Sequence, residues 1–317
     1  MTHVIEDVDK VEILTLQDNF IDMVTKDNSD VIQRALPMKG MEVSNSILAE
    51  PGFSALVTIT RNGQTRSLLF DFGFSEDGAA RNAEALNVDL SAVEVLALSH
   101  GHLDHVGGLK KLTGLVGKKR LDLVLHPWSF VNPRYLKITE ALKAYFPAFT
   151  REKAQACGVN LIETEEPYAL LDGQALFLGQ IKRVTDFEKG APDLCCEVDG
   201  QQMSDPFHDD TGIAFNVKGK GLVVLSGCAH AGIVNTVKHA RQVTGIDKVY
   251  AIMGGFHLSG TDFDSVVKPT TDELKTFDPD YVVPTHCTGR AVCIYIENQM
   301  PAQFILNMSG TKLTFAA

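Results

Sequence analysis

Four side chains able to hold a metal ion, His100, His102, Asp104 and His105, stand within six residues in the run Leu98-Ser-His-Gly-His-Leu-Asp-His-Val-Gly-Gly108. Imidazole and carboxylate together suit zinc, iron or manganese. The run follows the apolar stretch Val93-Glu-Val-Leu-Ala-Leu98, so it begins where a strand ends. In an extended chain residues i and i+2 face the same way, so His100 and His102 can reach one ion together. Asp104 and His105 fall where the chain turns into a helix and can serve a second ion. The plain alternative is a polar loop of hydrogen-bonded histidines. Four ligands directly after a buried strand favour a metal site.

Three further polar stretches occupy the same position after apolar runs. Ser226-Gly-Cys-Ala-His230 follows residues 222–225, Gly254-Gly-Phe-His257 follows 249–253, and Pro284-Thr-His-Cys-Thr-Gly289 follows 281–283. Layered α/β proteins bind ligands outside the carboxyl ends of their strands. A lone histidine is more often structural than functional, but three in this shared position join the first cluster as candidates.

Behind these residues lies an alternation of short strands and helices. Strands are predicted at 55–60 and 67–71 around the hairpin signal Asn62-Gly63. A helix over 75–87 takes Ser75 as a possible N-cap. The 93–98 strand leads through the metal motif into a helix carrying Val106, Leu109 and Leu112, and a strand follows at 121–125. Residues 130–165 read as irregular helix interrupted by Pro133 and Pro147, and 185–211 as a loop. Together they make 126–211 an irregular insertion or lid. Strands return at 212–217, 222–226, 249–253 and 281–283, with a helix near 232–244 and another starting at Pro269. Two similar halves, each of strands then helices, predict one α/β domain over residues 1–317 with two sheets in the middle.

Composition narrows the partners. A net charge of −11 and a single short basic run, Lys118-Lys-Arg120, argue against nucleic acid. No apolar stretch approaches membrane-spanning length, and the acidic start of the chain lacks a secretory leader. Six cysteines without regular spacing, Cys195-Cys196 adjacent among them, do not make a disulfide framework. The expectation is a cytoplasmic protein acting on a small molecule, with no nucleic-acid or membrane partner and no signal of oligomeric state.

His-x-His-x-Asp-His after a strand, with the later Gly-Cys-x-His and Val-Pro-x-His, resembles the metallo-β-lactamase superfamily. Gly52-Phe-Ser54, Leu69-Phe-Asp-Phe-Gly73, Arg183-Val-Thr-Asp-Phe-Glu188, Asp209-Asp210 and the motifs at 98–109, 225–235, 254–258 and 283–289 narrow the resemblance. They look like its dihydropterin-linked ribofuranosylaminobenzene 5'-phosphate synthase-like branch. The resemblance implies a four-layer αββα sandwich holding one or two ions, Zn2+ first, with Fe or Mn as alternatives. His100 and His102 match the first-metal ligands; Asp104, His105 and His286 match the second. Asp71 matches an aspartate that orients the metal loop. The remaining first-metal ligand is His230, from the branch signature, or His208, whose distance to Cys228 is near the spacing in lactam-cleaving relatives. Cys228 stands where many of the hydrolases have a bridging aspartate, so it is either a soft ligand or a small buried residue. Asp209 and Asp210 are expected behind a metal histidine, and His257 as a substrate ligand or acid. His126 reads as structural, His3 and His239 as surface residues.

The implied activity is hydrolysis of a small ester: a phosphoester, a cyclic phosphodiester or a lactone. The metal would bring its bound water to a pKa of about 7 and so supply hydroxide. Asp104 would hold the ion or orient that nucleophile, and His257 or His230 would stabilise the leaving group. The branch name implies instead a synthase that forms a C–C bond and releases pyrophosphate. A non-catalytic metal- or ligand-binding protein and an iron redox centre are the remaining alternatives.

Overall fold

Alternation along the strands decides the layers in the computed structural model, which describes residues 2–43 and 45–317. In the strand Ser54–Arg61, Val57 and Ile59 face one side and Leu56 the other; in Gln64–Phe70, Leu68 and Phe70 oppose Leu69. Both faces of that sheet are therefore apolar and both must be covered. Its order is Val159–Glu163, Leu121–Leu125, Val93–Ala97, Gln64–Phe70, Ser54–Arg61, Lys10–Gln17, Lys312–Ala316, Ile32–Gln33. A second sheet runs Tyr168–Leu170, Ala175–Phe177, Gly212–Val217, Gly221–Ser226, Val249–Gly255, Tyr281–Thr285, with Asp7–Val8 paired beside Gly212–Val217.

The two sheets bury their facing sides against each other through Val57, Phe70, Phe177, Phe215, Leu225 and Met253. Helices Gly78–Ala85 and Leu109–Val116 cover the outer face of the first sheet, over Leu69, Leu96 and Leu123. Helices Ile233–Thr244, Asp264–Thr276 and Arg290–Gln299 cover the second, over Leu222, Val224 and Ile252. This is the four-layer αββα sandwich. Among the described residues no helix is long and apolar enough to cross a membrane.

Several elements depart from expectation. Residues 126–211 are not an irregular lid: they carry seven strands. Val159–Glu163 extends the first sheet, and Tyr168–Leu170 and Ala175–Phe177 extend the second. The other four, Arg134–Lys137, Lys143–Tyr145, Leu194–Val198 and Gln201–Ser204, form a small sheet of their own. Strands of three to five residues are too short to separate period two from helical spacing, which is why 130–165 read as helix. The helix expected to start at Pro269 starts at Asp264, and Pro269 lies inside it. Only one backbone bond, toward Ser265, is lost there. Ser75 lies outside its helix but still accepts the Gly78 amide at 2.9 Å. His239 is buried, not a surface residue; its Nε2 lies 3.0 Å from the Leu178 carbonyl.

Helix Ile233–Thr244 matters most for the site, because the turn before it carries Cys228 and His230. Its own first residues offer no side-chain cap. Glu188 supplies one from across the fold, accepting the Val234 amide at 2.8 Å and the Asn235 amide at 2.9 Å. Burial raises the Glu188 carboxyl to about 7.

Two consequences can be measured. Phe215→Ala opens a void between the sheets and should cost about 3–5 kcal/mol in urea unfolding, whereas Leu115→Ala, on an exposed helix face, should cost under about 0.5 kcal/mol. An equal cost at both sites would contradict the packing. Because the folded carboxyl of Glu188 sits near 7 against an ordinary 4.5, the stability it adds is complete at acid pH and is lost as pH rises through 7. Relative to Glu188→Gln, wild type should lose on the order of 3 kcal/mol between about pH 4.5 and about pH 8. A difference that stays flat with pH would contradict the buried cap.

Candidate metal centre

The parallel strands of both sheets release their carboxyl ends at one edge. Gln64–Phe70 leads to Asp71, Val93–Ala97 to the run from Ser99 to His105, and Gly221–Ser226 to Cys228 and His230. Val249–Gly255 leads to His257, and Tyr281–Thr285 to His286 and Cys287. Asp71 organises the first half. Its carboxylate accepts the Ser99 amide at 2.7 Å and the Ser99 hydroxyl at 2.7 Å, and meets His105 Nδ1 at 2.6 Å. That fixes the proton on Nδ1 and turns Nε2 of His105 toward the centre.

Two sets of donors result. On one side Nε2 of His100 and Nε2 of His230 approach to 3.2 Å, with the His102 ring centroid 4.6 Å from that of His100 and 4.9 Å from that of His230. On the other, Asp104 Oδ2 lies 3.1 Å from His286 Nε2 and 3.5 Å from His105 Nε2. Cys228 stands between them. Its sulfur is 3.2 Å from His105 Nε2 and lies within 4.8 Å of ligand atoms in both sets, with His100 and His230 and with Asp104, His105 and His286.

Electrostatics divides the sets in the same way. Burial and neighbouring histidines hold His100 and His230 well below the usual imidazole range, and burial with the Arg134 guanidinium brings His102 to about 3. These three keep free lone pairs at neutral pH. Burial opposes charge on His105 too, but Asp104 and Asp71 carry it well above that range. Burial likewise opposes charge on His286, where Cys287 and Asp104 raise it. Asp104 itself is held well below the carboxylate range by His105 and His286, against its burial. The second set thus favours positive charge.

The donor geometry fits metal ions. Tetrahedral zinc with nitrogen ligands at about 2.0–2.1 Å sets neighbouring donors about 3.3 Å apart. The observed spacings of 3.1 to 3.5 Å among these nitrogen and oxygen donors match it. Nδ1 of His230 has no protein partner among the described residues, although it is buried. Donor atoms of His100, His230 and Cys228 converge, as do those of His100, His102 and Asp104, and those of Asp104, His105, His286 and Cys228. The cluster could therefore hold one ion on the His100 side and another on the His105 side, with Asp104 and Cys228 within reach of both.

The surroundings clamp these ligands. His286 gives its backbone amide to Asp18 at 2.9 Å and sets Nδ1 2.9 Å from Asn19 Oδ1; Asn307 in turn donates to Asp18 at 2.7 Å. Asp209 accepts the Gly101 amide at 2.9 Å and is held by Arg134 at 2.8 Å. Asp210 accepts the Ala231 amide at 2.9 Å, and Arg183 donates to the His230 carbonyl at 3.2 Å. Asp209 and Asp210 therefore fix backbone on both sides of the cluster, not a histidine ring. Gly227 has no room for a side chain, since a Cβ there would lie 2.1 Å from the Ser99 hydroxyl. Asp71, Ala229, His257 and His286 all adopt positive φ without being glycine. Such backbone costs of order 1–3 kcal/mol per residue and persists where packing imposes it, as at functional sites.

His208 is not brought to the cluster. Its Nδ1 pairs with Gln180 at 3.0 Å and its ring lies against Trp128. The turn between Phe207 and Asp210 sends Phe207 inward instead, stacked on His230 at 4.2 Å, so His230 takes the place. His126 is structural, its Nδ1 accepting the Trp128 amide at 3.0 Å. His257 sits at the edge, 4.2 Å from the His230 ring, and shares a third cluster with Cys228 and Cys287. Sequence reasoning missed Asp18, Asn19 and Arg134. Gln17-Asp18-Asn19 directly after the Lys10–Gln17 strand was a usable signal, the same strand-end position as the ligands. Arg134 had none, because its partners Asp205 and Asp209 lie about seventy residues on, in the turn after the Gln201–Ser204 strand.

Comparison with known proteins agrees with this geometry. Residues 49–120 match the metallo-beta-lactamase superfamily profile. The 7,8-dihydropterin-6-methyl-4-(beta-D-ribofuranosyl)-aminobenzene-5'-phosphate synthase of Methanocaldococcus jannaschii is 30% identical over 244 residues, covering 76% of this chain and 82% of that one. The uncharacterized protein MJ0448 of the same organism is 30% identical over 247 residues, 76% of this chain and 85% of its own. Among solved structures, Tm1679, a metal-dependent hydrolase of the beta-lactamase superfamily, aligns with a TM-score of 0.73 at 23% identity over 97% of this chain and all (100%) of that one. The metallo-beta-lactamase fold protein YhfI from Bacillus subtilis aligns at 0.52 and 12% identity, over 97% and 100%. These two likenesses speak to the fold alone. The curated relatives, with the matching profile, place the chain in the metallo-β-lactamase superfamily, in the branch that contains the dihydropterin-linked ribofuranosylaminobenzene phosphate synthase.

Proposed function

We propose that the chain is a metal-dependent hydrolase of a small ester, a phosphoester, cyclic phosphodiester or lactone. The observation that carries this reading is the buried convergence of His100, His102 and His230 opposite Asp104, His105 and His286, with Cys228 between. These residues would hold a divalent ion, which would supply Lewis acidity near neutral pH. Zinc suits the mixed nitrogen, oxygen and sulfur donor set best.

The chain's own groups would do the rest. A cleft of about 400 Å3 opens against His230 and His257, walled by Phe187, Leu258 and Phe263, with Lys189 at its rim. That volume suits a small molecule, and the aromatic walls suit an apolar body, with Lys189, Asp186 and Asp262 offering polar contacts along the lining. His257, whose Nδ1 has no protein partner among the described residues, is set to give a proton to the departing oxygen. Asp104, whose carboxylate faces His105 and His286, would orient the attacking water. The acidic chain, net charge −11, supports a small-molecule substrate over nucleic acid.

One observation favours a second reading, the synthase reaction: a relative that carries this name is 30% identical over 82% of its length. Pyrophosphate release on incubation with the phosphoribosyl donor and the aminobenzoate would establish it, and no release would exclude it. For hydrolysis, His102→Ala should lower bound zinc and cut turnover of a responsive ester by at least about 100-fold, whereas His208→Ala should leave both nearly unchanged. Retention of full zinc and activity by His102→Ala, measured by metal analysis and ester assay, would overturn the reading.

A further inference from the structure

Cys287 takes no part in the metal sets proposed above, yet its position is specific. The strand pair Val249–Gly255 and Tyr281–Thr285 runs in parallel and aligns Gly255 with Thr285, two residues before Cys287. On its other side Gly255 donates its amide to the Gly227 carbonyl at 2.8 Å, one residue before Cys228. The two cysteines are thus brought together across Gly255. A Cβ at Gly255 would lie 2.6 Å from Cys287 Sγ and 3.3 Å from Cys228 Cα, so only glycine leaves space for this meeting. The two sulfurs lie within 4.8 Å of each other, and Cys287 Sγ is also 3.6 Å from the Cys228 carbonyl.

Cys228 therefore has two alternative neighbours: the imidazoles of the metal cluster on one side and a second thiol on the other. The remaining cysteines have no such partner. Cys195 and Cys196 are adjacent in one strand and so point to opposite faces. Cys157 and Cys293 turn their sulfurs toward the carbonyls of Lys153 and Pro284. Cys228 is buried at 2% exposure, whereas Cys287 is half-buried at the edge that His257 shares. A small oxidant meets Cys287 first.

We infer that Cys228 and Cys287 form a reversible oxidation site, whose disulfide withdraws the Cys228 sulfur from the metal cluster. The oxidant class is a hydroperoxide. Cys287 sulfur attacks the peroxide oxygen and gives a sulfenic acid while the O–O bond breaks and an alcohol, or water from hydrogen peroxide, departs. Cys228 sulfur then attacks that sulfenic sulfur, the S–S bond forms and water leaves with the second proton. Two thiols lose two electrons and two protons, and the peroxide takes them. A dithiol reductant reverses the step by exchange. The effect on metal rests on the reading of Cys228 as a ligand; the disulfide itself does not.

The test treats reduced, zinc-loaded wild-type protein with hydrogen peroxide, alkylates free thiols, and maps the peptides by mass spectrometry beside a zinc measurement. The expected result is a link between Cys228 and Cys287 with the other cysteines alkylated, loss of about one zinc per chain, and recovery of both after dithiothreitol. Cys287→Ser should abolish the link while holding zinc normally in the reduced state. Absence of the link, a link to a different cysteine, or a linked protein that keeps all its zinc would overturn the inference. Mapping is repeated on metal-free protein, so that a chain binding no zinc sinks the metal reading while the link alone decides this one.

Discussion

A single carboxylate holds the first half of the site in place. Asp71 is fully buried, and both its oxygens are used, one by the Ser99 amide and the other by the Ser99 hydroxyl and His105 Nδ1. A buried carboxylate is tolerated only when it is satisfied this way. The same contacts set the tautomer of His105, fix the turn that carries His100 and His102, and leave no room for a side chain at Gly227. Remove that carboxylate and the loop loses both its geometry and its charge compensation. The second half has its own anchor, since Asp18 grips the His286 amide from a strand end of the first sheet.

The ligand side of this arrangement was legible in the amino-acid sequence because ligands follow strands. Apolar runs of three to six residues followed by His, Asp or Cys gave His100, His102, Asp104, His105, His230, His257 and His286, and the structure brings all of them to one edge. The two-sheet layering was legible for the same reason, through alternation. What escaped was long-range and irregular. Whether His208 or His230 enters the cluster depends on the turn around Phe207, which has positive φ and no motif. The small sheet of 134–137, 143–145, 194–198 and 201–204 pairs strands sixty residues apart, and such pairing leaves no local periodicity. Arg134 reaches the site only through that sheet.

Cys228 stands where the family resemblance implies a bridging aspartate in many of the hydrolases. Burial and the neighbouring Cys287 push its thiol well above the usual range. An ion binding there must displace that proton, so occupancy should strengthen as pH rises. A thiolate is softer than a carboxylate and opens a route to oxidation that aspartate lacks. On the proposed ligand set, sulfur at the centre would couple metal binding to proton and redox state.

The most direct measurement of this picture is zinc X-ray absorption on reduced, zinc-loaded protein compared with Cys228→Ala. A zinc–sulfur shell at about 2.3 Å beside nitrogen and oxygen at about 2.0–2.1 Å, with the sulfur shell lost in Cys228→Ala, is the expected result. A wild-type spectrum with nitrogen and oxygen neighbours alone would contradict the placement of Cys228 in the metal centre.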